Sequence, residues 1–512
     1  MRPLETVPIE LYNIVLVRRG EDPMCGVVGI YGNDPVFRDL YQGLLAVQHR
    51  GQDSAGIVTY DGRFHTKKGN GLVRDIFTAE ALPILKGNVG IGHTRYPTVG
   101  GGGEEDAQPF QVNVPFGIIM AHNGNVTNYK QIKAELLERY RRRLNSDCDV
   151  EAILNVFAQA LARQNVTDIK PEHVFQAVAE VYEKVKGSYA VVAYIAEHGL
   201  VAFRDPFGIK PLAYGVRRDG LRPSYAVASE TVSLNLMNFG EIKDIKPGQA
   251  IFIDRNRELH AKQIAHCPHT PCLFEWVYFA RPDSFIDRAN VYKCRVNLGG
   301  FLAQEIRKRR LKIDVVVPVP DSARDAAIEI ARRLNLKYSE ALVKNRYIGR
   351  TFIMPAADKR RSSVRQKLNA IAGEVRGKSV LLVDDSIVRG NTSRAIIEMI
   401  RECGARKVFF AAYSPPLRFP CVYGIDMQTR TEFIARGADE KLVAKRIGAD
   451  EVIYQTLAHL KKAVQKENPK LTRFCGACFD GIYPTGDVGE ETLREIENAR
   501  RTHQEAQLEL EI

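Results

Sequence analysis

Residues 1–24 lack the apolar core of a signal peptide or a membrane span. Their longest apolar run is Ile14-Val15-Leu16-Val17, with Glu5, Glu10 and Asn13 before it and Arg18-Arg19 after. A signal-peptide core needs roughly 7–15 apolar residues and a span about 20. Nine cysteines are present, but they lack the even, regular spacing of a secreted disulfide framework. The chain also lacks zinc-finger and RNA-recognition signatures, internal repeats and low-complexity tracts. These absences exclude a membrane protein, a disulfide-stapled secreted domain, a repeat solenoid and a dedicated nucleic-acid module. They predict a cytoplasmic protein whose thiols stay reduced or bind metal.

What remains is an ordinary globular composition. The 512 residues are 45% hydrophobic and 26% charged, and a length prior suggests about three domains. The net charge of +12 is spread along the chain. Runs such as Arg141-Arg142-Arg143 and Lys359-Arg360-Arg361 sit among helix-like residues and read as solvated faces. A polyanionic small substrate is the second reading of this charge, ahead of nucleic acid.

Two patterns divide the chain. From Cys25 onward, strands are expected at Cys25–Tyr31, Val89–Thr94, Phe116–His122, Ala190–Ala196 and Leu200–Arg204, with helices at Asn128–Arg142 and Val150–Arg163. A stretch rich in Pro, His and Cys, His266–Pro271, reads as a linker. Then βαβ alternation begins, which implies a parallel sheet. Strand Val315–Val319 leads through Pro320-Asp321-Ser322 to a helix at Ala326–Leu334. Strand Val380–Val383 and helix Ala395–Cys403 follow, then strand Lys407–Tyr413. Val443–Ala463 is expected to be helical, and a charged helical tail begins near Glu490. The expected boundaries are an extension at 1–24, a first domain at 25–260, a linker at 261–290, a second domain at 291–460 and a C-terminal extension at 461–512.

The segment Val380-Leu381-Leu382-Val383-Asp384-Asp385-Ser386-Ile387-Val388-Arg389-Gly390-Asn391-Thr392-Ser393 carries the most chemistry. An apolar strand ends in two carboxylates, and a loop of small and hydroxyl residues leads into a helix. Ligands in open α/β sheets bind at such strand ends. Paired acids grip vicinal hydroxyls, and backbone N–H groups of the loop and helix start hold a phosphate. A sugar phosphate fits both. Asp-Asp alone is weak evidence, but the whole string resembles the ribose-phosphate loop of type I phosphoribosyltransferases, which bind phosphoribosyl pyrophosphate (PRPP). The resemblance implies that Asp384 and Asp385 hold the ribose hydroxyls. It also implies that Ser386, Arg389, Gly390, Asn391, Thr392 and Ser393 wrap the 5-phosphate.

The amino-terminal half shows a second chemistry. Cys25 directly follows Met24, so cleavage of a propeptide, or initiation at Met24 with methionine removal, would make it the first residue. The freed α-amine titrates near ~7.7–8.0 and a free thiol near ~8.5, close enough for the amine to serve as base to its own thiol. Four motifs follow: Gln48-His49-Arg50-Gly51-Gln52-Asp53-Ser54-Ala55-Gly56, Gly92-His93-Thr94-Arg95-Tyr96-Pro97-Thr98 with the glycine run 100–103, Ala121-His122-Asn123-Gly124-Asn125, and Ser146-Asp147. Each alone has an ordinary reading as a turn or a solvated charge. Their set and order resemble the glutaminase domain of class II glutamine amidotransferases, an N-terminal-nucleophile αββα sandwich. The resemblance implies Cys25 as nucleophile, Asn123 and Gly124 as oxyanion hole, and Arg95 and Asp147 as ligands of the glutamine carboxylate and amine. It makes the glycine run a flap over glutamine.

The two halves together resemble the amidophosphoribosyltransferases. Glu275-Trp276-Val277-Tyr278-Phe279-Ala280-Arg281-Pro282-Asp283-Ser284, Val317-Pro318-Val319-Pro320-Asp321-Ser322 and Lys344-Asn345-Arg346-Tyr347-Ile348-Gly349-Arg350-Thr351-Phe352-Ile353 match as well. The implied reaction converts PRPP, glutamine and water to 5-phosphoribosylamine, glutamate and pyrophosphate, the first committed step of purine synthesis. Implied partners are Mg²⁺ on Ser322, Asp384 and Asp385, a closing loop from Lys344 to Phe352, and inhibition by AMP, GMP, ADP or GDP in a homotetramer. Cys475-Gly476-Ala477-Cys478 has no second Cys-x-x-Cys for a zinc ribbon. In some family members four cysteines carry a [4Fe–4S] cluster, and Cys272, Cys421, Cys475 and Cys478 match them. Two rivals are weaker. A glucosamine-6-phosphate-forming synthase needs sugar-isomerase repeats, and a non-catalytic PRPP-sensing regulator has no reason to keep Cys25 with its partners.

Overall fold

The computed structural model describes residues 24–79, 83–96, 104–218, 220–345, 368–425, 429–495 and 498. Period-two burial explains the first half. In strand Ile118–Val126, Ile118 and Met120 face one core while Ile119 and Ala121 face another. The neighbouring strand Gly187–Ile195 divides in the same way, with Val191 and Ala193 on one side and Ala190 and Val192 on the other. A sheet apolar on both faces must be covered twice. One face packs on a second sheet, and the other takes the helices Asp149–Arg163 and Pro171–Lys184.

The six-stranded sheet runs in the order Leu259–Gln263, Gln249–Asp254, Gly199–Arg204, Gly187–Ile195, Ile118–Val126, Phe110–Val112. The seven-stranded sheet against it places Gly26–Tyr31 between Ser224–Ala228 and Val89–Arg95. Helix Phe37–Ala46 covers its outer face. The result is the expected αββα sandwich.

The second half is a five-stranded parallel sheet. Its order is Lys337–Tyr338, Val315–Pro318, Ser379–Asp384, Lys407–Ala412, Glu451–Tyr454. Leu381 and Val383 pack with helices Val291–Lys308, Arg324–Leu334 and Leu457–Glu467, whereas Val380 and Leu382 pack with Asn391–Glu402 and Glu440–Ile447. The central strand is buried on both faces, as a parallel sheet requires.

Two segments differ from expectation. Val443–Ala463 is not one helix: the strand Glu451–Tyr454 separates helices Glu440–Ile447 and Leu457–Glu467. Gly448, in the left-handed conformation at φ 78°, ends the first helix. Residues 261–290 are more than a linker. They contain a π-helical turn, Glu275–Phe279, in which Trp276 is fully buried. The charged tail does begin as helix, at 490–495. Among the described residues no helix is long and apolar enough to cross a membrane.

Arg50 ties this turn to the first half. It has no exposed surface. Its Nε donates to the Cys25 carbonyl at 3.1 Å, its Nη1 to Glu230 at 2.6 Å, and its Nη2 to Glu275 at 2.9 Å. His49 lies 2.8 Å from the same Glu230, whose other oxygen accepts from Ser284 and from the Arg281 amide. Burial alone pushes the Glu230 carboxyl up, but His49 and Arg50 overcome it and hold the group well below the ordinary carboxylate range.

Breaking a buried pair by removing one partner typically costs about 3–5 kcal/mol, so Arg50→Met is expected to lower the unfolding midpoint sharply. A depressed carboxyl stabilises the fold above its unfolded pKa of about 4.3 and loses that contribution as pH falls toward the folded value. The stability gap between the parent protein and Glu230→Gln should therefore be large at about pH 5–7 and shrink below about pH 4. Urea unfolding at a series of pH values measures it, and a gap that widens in acid contradicts this assignment.

Candidate active site

Cys25 immediately precedes the strand Gly26–Tyr31 and is 7% exposed. Its Sγ donates to the Tyr96 carbonyl at 3.6 Å. Burial is the largest influence on this thiol and pushes its pKa up, while the nearby charge of Arg95 opposes the rise. Met24 is fully buried before it, and its sulfur lies 3.0 Å from Lys210 Nζ. In this unprocessed chain the Cys25 nitrogen is a peptide nitrogen. Residues 1–23 lie outside the described residues.

Three sequence candidates lie on the two facing sheets: Arg95, whose charge reaches the thiol, on one, and Asn123 and Gly124 on the other. Arg95 ends the strand Val89–Arg95, is 3% exposed and reaches Asp106 at 3.4 Å. Asn123 and Gly124 lie late in the strand Ile118–Val126. Only the first part of that strand, Ile118–Met120, pairs with Phe110–Val112; along residues 121–126 the described partner is Gly187–Ile195 alone. The amide nitrogen and oxygen of Asn123 are both buried without a hydrogen-bond partner. A buried polar group left without a partner costs about 1–3 kcal/mol, so both atoms are free to accept one. A Cβ on Gly124 would fall 2.0 Å from the Ser188 carbonyl oxygen, so only glycine fits.

Asp147 is not brought to this site. Its side chain is 62% exposed and pairs with Lys133 at 2.7 Å. The acid near Cys25 is Asp149, 4% exposed, whose charge acts on the thiol. Its Oδ2 accepts from the Val126 amide at 2.8 Å and lies 3.3 Å from His122 Nε2. Burial alone raises this carboxyl, but His122, the Val126 amide and Arg95 bring it below its ordinary value. The reason for the two-residue difference is local. Glu151 accepts from the Asn145 and Ser146 amides and from the Ser146 hydroxyl. That latch starts the helix at Asp149 and leaves Asp147 on the outer turn. The run Ser146-Asp147-Cys148-Asp149 offered both acids, and the capping role of Glu151 was the available signal. The glycine run 100–103 lies outside the described residues.

The second site lies where Ser379–Asp384 ends. Asp384 and Asp385 are 9% and 8% exposed. Burial, then the charge of Asp385, lifts Asp384 well above the usual carboxylate range, and burial also raises Asp385. Ser322 Oγ and Ser386 Oγ donate to the two Asp385 oxygens at 2.5 and 2.6 Å. Ile387 is buried and pins the loop into the core. Gly390 sits at φ 80° just before helix Asn391–Glu402, and a Cβ there would fall 2.5 Å from Ile434. The loop therefore passes close over the core and delivers Asn391, Thr392 and Ser393 as the first helical turn.

Arg389 pairs with Glu432 at 2.9 Å. Lys344, 45% exposed, lies 3.5 Å from Asp321. Residues 346–352 of its expected closing loop lie outside the described residues.

Cys272, Cys421, Cys475 and Cys478 converge from three places in the chain. All four are buried, and no disulfide joins them. Cys272 and Cys475 form a parallel bridge, with the Leu273 amide donating to the Cys475 carbonyl at 3.0 Å. Burial pushes the Cys272 thiol up to about 12 and Cys475 and Cys478 well above their ordinary value. Among the described residues no three of these sulfurs lie within 4.8 Å of one another. Four sulfurs about 2.3 Å from one zinc ion would be closer than that.

Comparisons with known proteins fit this geometry. Residues 93–235 match the glutamine amidotransferase domain family and residues 292–413 the phosphoribosyl transferase domain family. The chain is 49% identical over 483 residues to the amidophosphoribosyltransferase of Escherichia coli strain K12, covering 93% of this chain and 96% of that one. It is 45% identical to that of Saccharomyces cerevisiae, covering 94% and 96%. The solved glutamine PRPP amidotransferase of B. subtilis, complexed with ADP and GMP, superposes with a TM-score of 0.80 at 36% identity over 91% of this chain and 98% of that one. A solved allosteric regulatory enzyme of purine biosynthesis superposes with a TM-score of 0.82 at 36% identity over 92% and 99%. With 50% identity to the Pseudomonas aeruginosa enzyme over 93% of its own length, this chain belongs to the amidophosphoribosyltransferase family.

Proposed function

We infer that this chain catalyses glutamine-dependent amidation of PRPP in purine biosynthesis, and that its two sites divide the reaction. The observation that carries the division is the presence, in one chain, of a buried cysteine acted on by the charges of Arg95 and Asp149 and of a strand-end acid pair leading into a helix N-terminus.

At the first site, Cys25 attacks the glutamine carboxamide and forms a thioester, and ammonia leaves. Asn123 Nδ2 and the Gly124 N–H hold the developing oxyanion. Arg95 takes the substrate carboxylate, and Asp149, in place of Asp147, takes its amine. Removal of residues 1–24 frees the Cys25 α-amine to act as base. The charge of Lys210, which reaches Cys25, favours the neutral, basic form of that amine.

At the second site, ammonia displaces pyrophosphate at C1 of PRPP. Asp384 and Asp385 hold the ribose, and backbone N–H groups from Ser386 to Ser393 hold the 5-phosphate. The oxygen donors Asp384, Asp385 and Ser322 suit Mg²⁺, which neutralises pyrophosphate charge when bound. Lys344 closes over the phosphates. Ammonia passes internally, since in bulk water near neutral pH it is mostly protonated and not nucleophilic.

Cys272, Cys421, Cys475 and Cys478 fit a [4Fe–4S] cluster: four buried thiols without disulfides, close enough to act on one another electrostatically, in a set of four thiolates such a cluster requires. Such a cluster supplies a crosslink between the junction, the second half and the C-terminal extension, and the reaction requires no redox step. A homotetramer inhibited by AMP, GMP, ADP or GDP completes the proposal, supported by the ADP and GMP complex of the B. subtilis relative.

Three outcomes test this reading. Asn123→Ala should lower kcat for glutamine hydrolysis by about 10²-fold or more while leaving ammonia-dependent amidation of PRPP near the parental rate; equal loss of both would contradict an oxyanion role.

Asp384 has a raised folded pKa, so its ionisation destabilises the fold as pH climbs above its unfolded value of about 3.9. Asp384→Asn should therefore melt higher than the parent at pH 8 without ligands, yet lose PRPP amidation and keep basal glutaminase activity. Unchanged melting, or loss of glutaminase in a folded variant, would sink the assignment.

Anaerobically purified protein should contain about four iron and four sulfide per chain, and Cys475→Ser should lose both. Zinc in place of iron would refute the cluster.

A further inference from the structure

We propose that Gly424, in the second half of the chain, is a positioning residue for the glutaminase oxyanion hole: its backbone presses on Gly124 and fixes where the Gly124 N–H points. This rests on the reading of Asn123 and Gly124 as oxyanion donors.

Three consecutive residues of the 421–425 loop dock on the oxyanion strand and its neighbour. The Val422 carbonyl accepts from Asn125 Nδ2 at 2.9 Å. The Tyr423 carbonyl accepts from Ser188 Oγ at 3.0 Å. Gly424 follows at φ 90°, and a Cβ on it would fall 2.7 Å from the Gly124 carbonyl oxygen, 2.8 Å from its carbonyl carbon and 3.2 Å from its Cα. On its other side Gly124 meets the Ser188 backbone, where a Cβ would fall 2.0 Å from the Ser188 carbonyl oxygen. Gly124 is thus held between its sheet partner and the docked loop.

The loop is itself anchored. Tyr423 is 1% exposed, and its hydroxyl lies 2.7 Å from Thr485 Oγ1. The residues at this seam are far apart in sequence, by 297 positions for Asn125 and Val422 and 235 for Ser188 and Tyr423. Among the described residues, no second strand lies beside 121–126 on the side away from Gly187–Ile195. An oxyanion donor must be placed within a few tenths of an ångström of where charge develops. The His122 and Val126 amides on either side are held by Gln108 and Asp149, and the Val422–Gly424 backbone adds the contact at Gly124 itself. The first half is therefore catalytically complete only with the second half docked.

The test uses the full processed chain with Gly424→Ala, Ser188→Ala and, as reference, Asn123→Ala. Gly424→Ala should reduce kcat for glutamine hydrolysis about tenfold or more, less than the 10²–10³-fold expected for outright loss of a donor, with KM for glutamine little changed. Ser188→Ala, which removes a hydrogen bond without adding bulk, should move kcat in the same direction by a smaller factor. Both should keep ammonia-dependent PRPP amidation and the rate of Cys25 alkylation by iodoacetamide, a displacement that forms no oxyanion.

Parental kcat in both seam variants, with Asn123→Ala impaired, overturns the proposal. So does parallel loss of ammonia-dependent amidation and alkylation, which marks general loosening. Where Gly424→Ala fails to fold, Ser188→Ala decides alone. Parental hydrolysis in Asn123→Ala instead removes the oxyanion reading on which the proposal stands.

Discussion

The buried guanidinium of Arg50 is the interaction on which the rest of the molecule depends. One planar group reaches the Cys25 carbonyl, Glu230 and Glu275 at once. Arginine suits this position because its fork of donors keeps its charge and meets two carboxylates in fixed geometry. Two buried carboxylates and one guanidinium leave a local negative excess, which His49 on Glu230 and the Ser284 and Arg281 donors offset. The net stability of such a network is small, because desolvation offsets most of the attraction. Its value is specificity: the Cys25 strand, the second-half junction and the loop at Glu230 share a single arrangement in which every charge is met.

From Glu275 the same rigidity continues to the second site. The turn Glu275–Phe279 carries the Val277 carbonyl, which accepts from the Tyr413 hydroxyl at 2.9 Å. That hydroxyl also lies 3.1 Å from the Ser322 carbonyl, and Ser322 Oγ holds Asp385. Tyr413 directly follows the strand Lys407–Ala412, beside the end of Ser379–Asp384. Arg295 braces the turn with bonds to the carbonyls of Trp276, Tyr278 and Ala280. A chain of short polar contacts therefore runs from the nucleophile to the acid pair through buried groups, where each bond is stronger than in water and each broken one costs more.

The two sites store their cost differently. Asp384 and Asp385 are held where burial and mutual repulsion disfavour their charge, a tension relieved by cationic or hydroxyl-bearing ligands. Three of the clustered cysteines share that logic, since burial raises the thiols of Cys272, Cys475 and Cys478. Asn123 stores an unmet hydrogen-bonding demand. In each case the fold spends some stability to keep groups ready for a partner.

Much of this was legible in the sequence, and the reason is locality. The apolar run 380–383 ending in two acids, the glycine and hydroxyl loop, and the helix start are all local signals, and the strand, loop and helix form where they indicate. Cys25 after Met24, Arg95 at a strand end, and Asn123-Gly124 late in a strand were equally readable. What escaped depended on partners far away or on a choice between near neighbours. Asp147 and Asp149 fit the same motif, and only the latch at Glu151 decided which faces inward. The strand Glu451–Tyr454 hid inside an apolar stretch of helical character, because four residues carry too little periodicity to stand out. His266–Pro271 looked like a linker from its Pro, His and Cys content, yet the Trp276 that follows is fully buried. The sequence alone determined the two chemistries and their order, because each is written in contiguous residues. Only the tertiary structure decided how they meet: Arg50 finds partners 180 and 225 positions away, and Gly424 reaches Gly124, through contacts that exist only once both halves have packed.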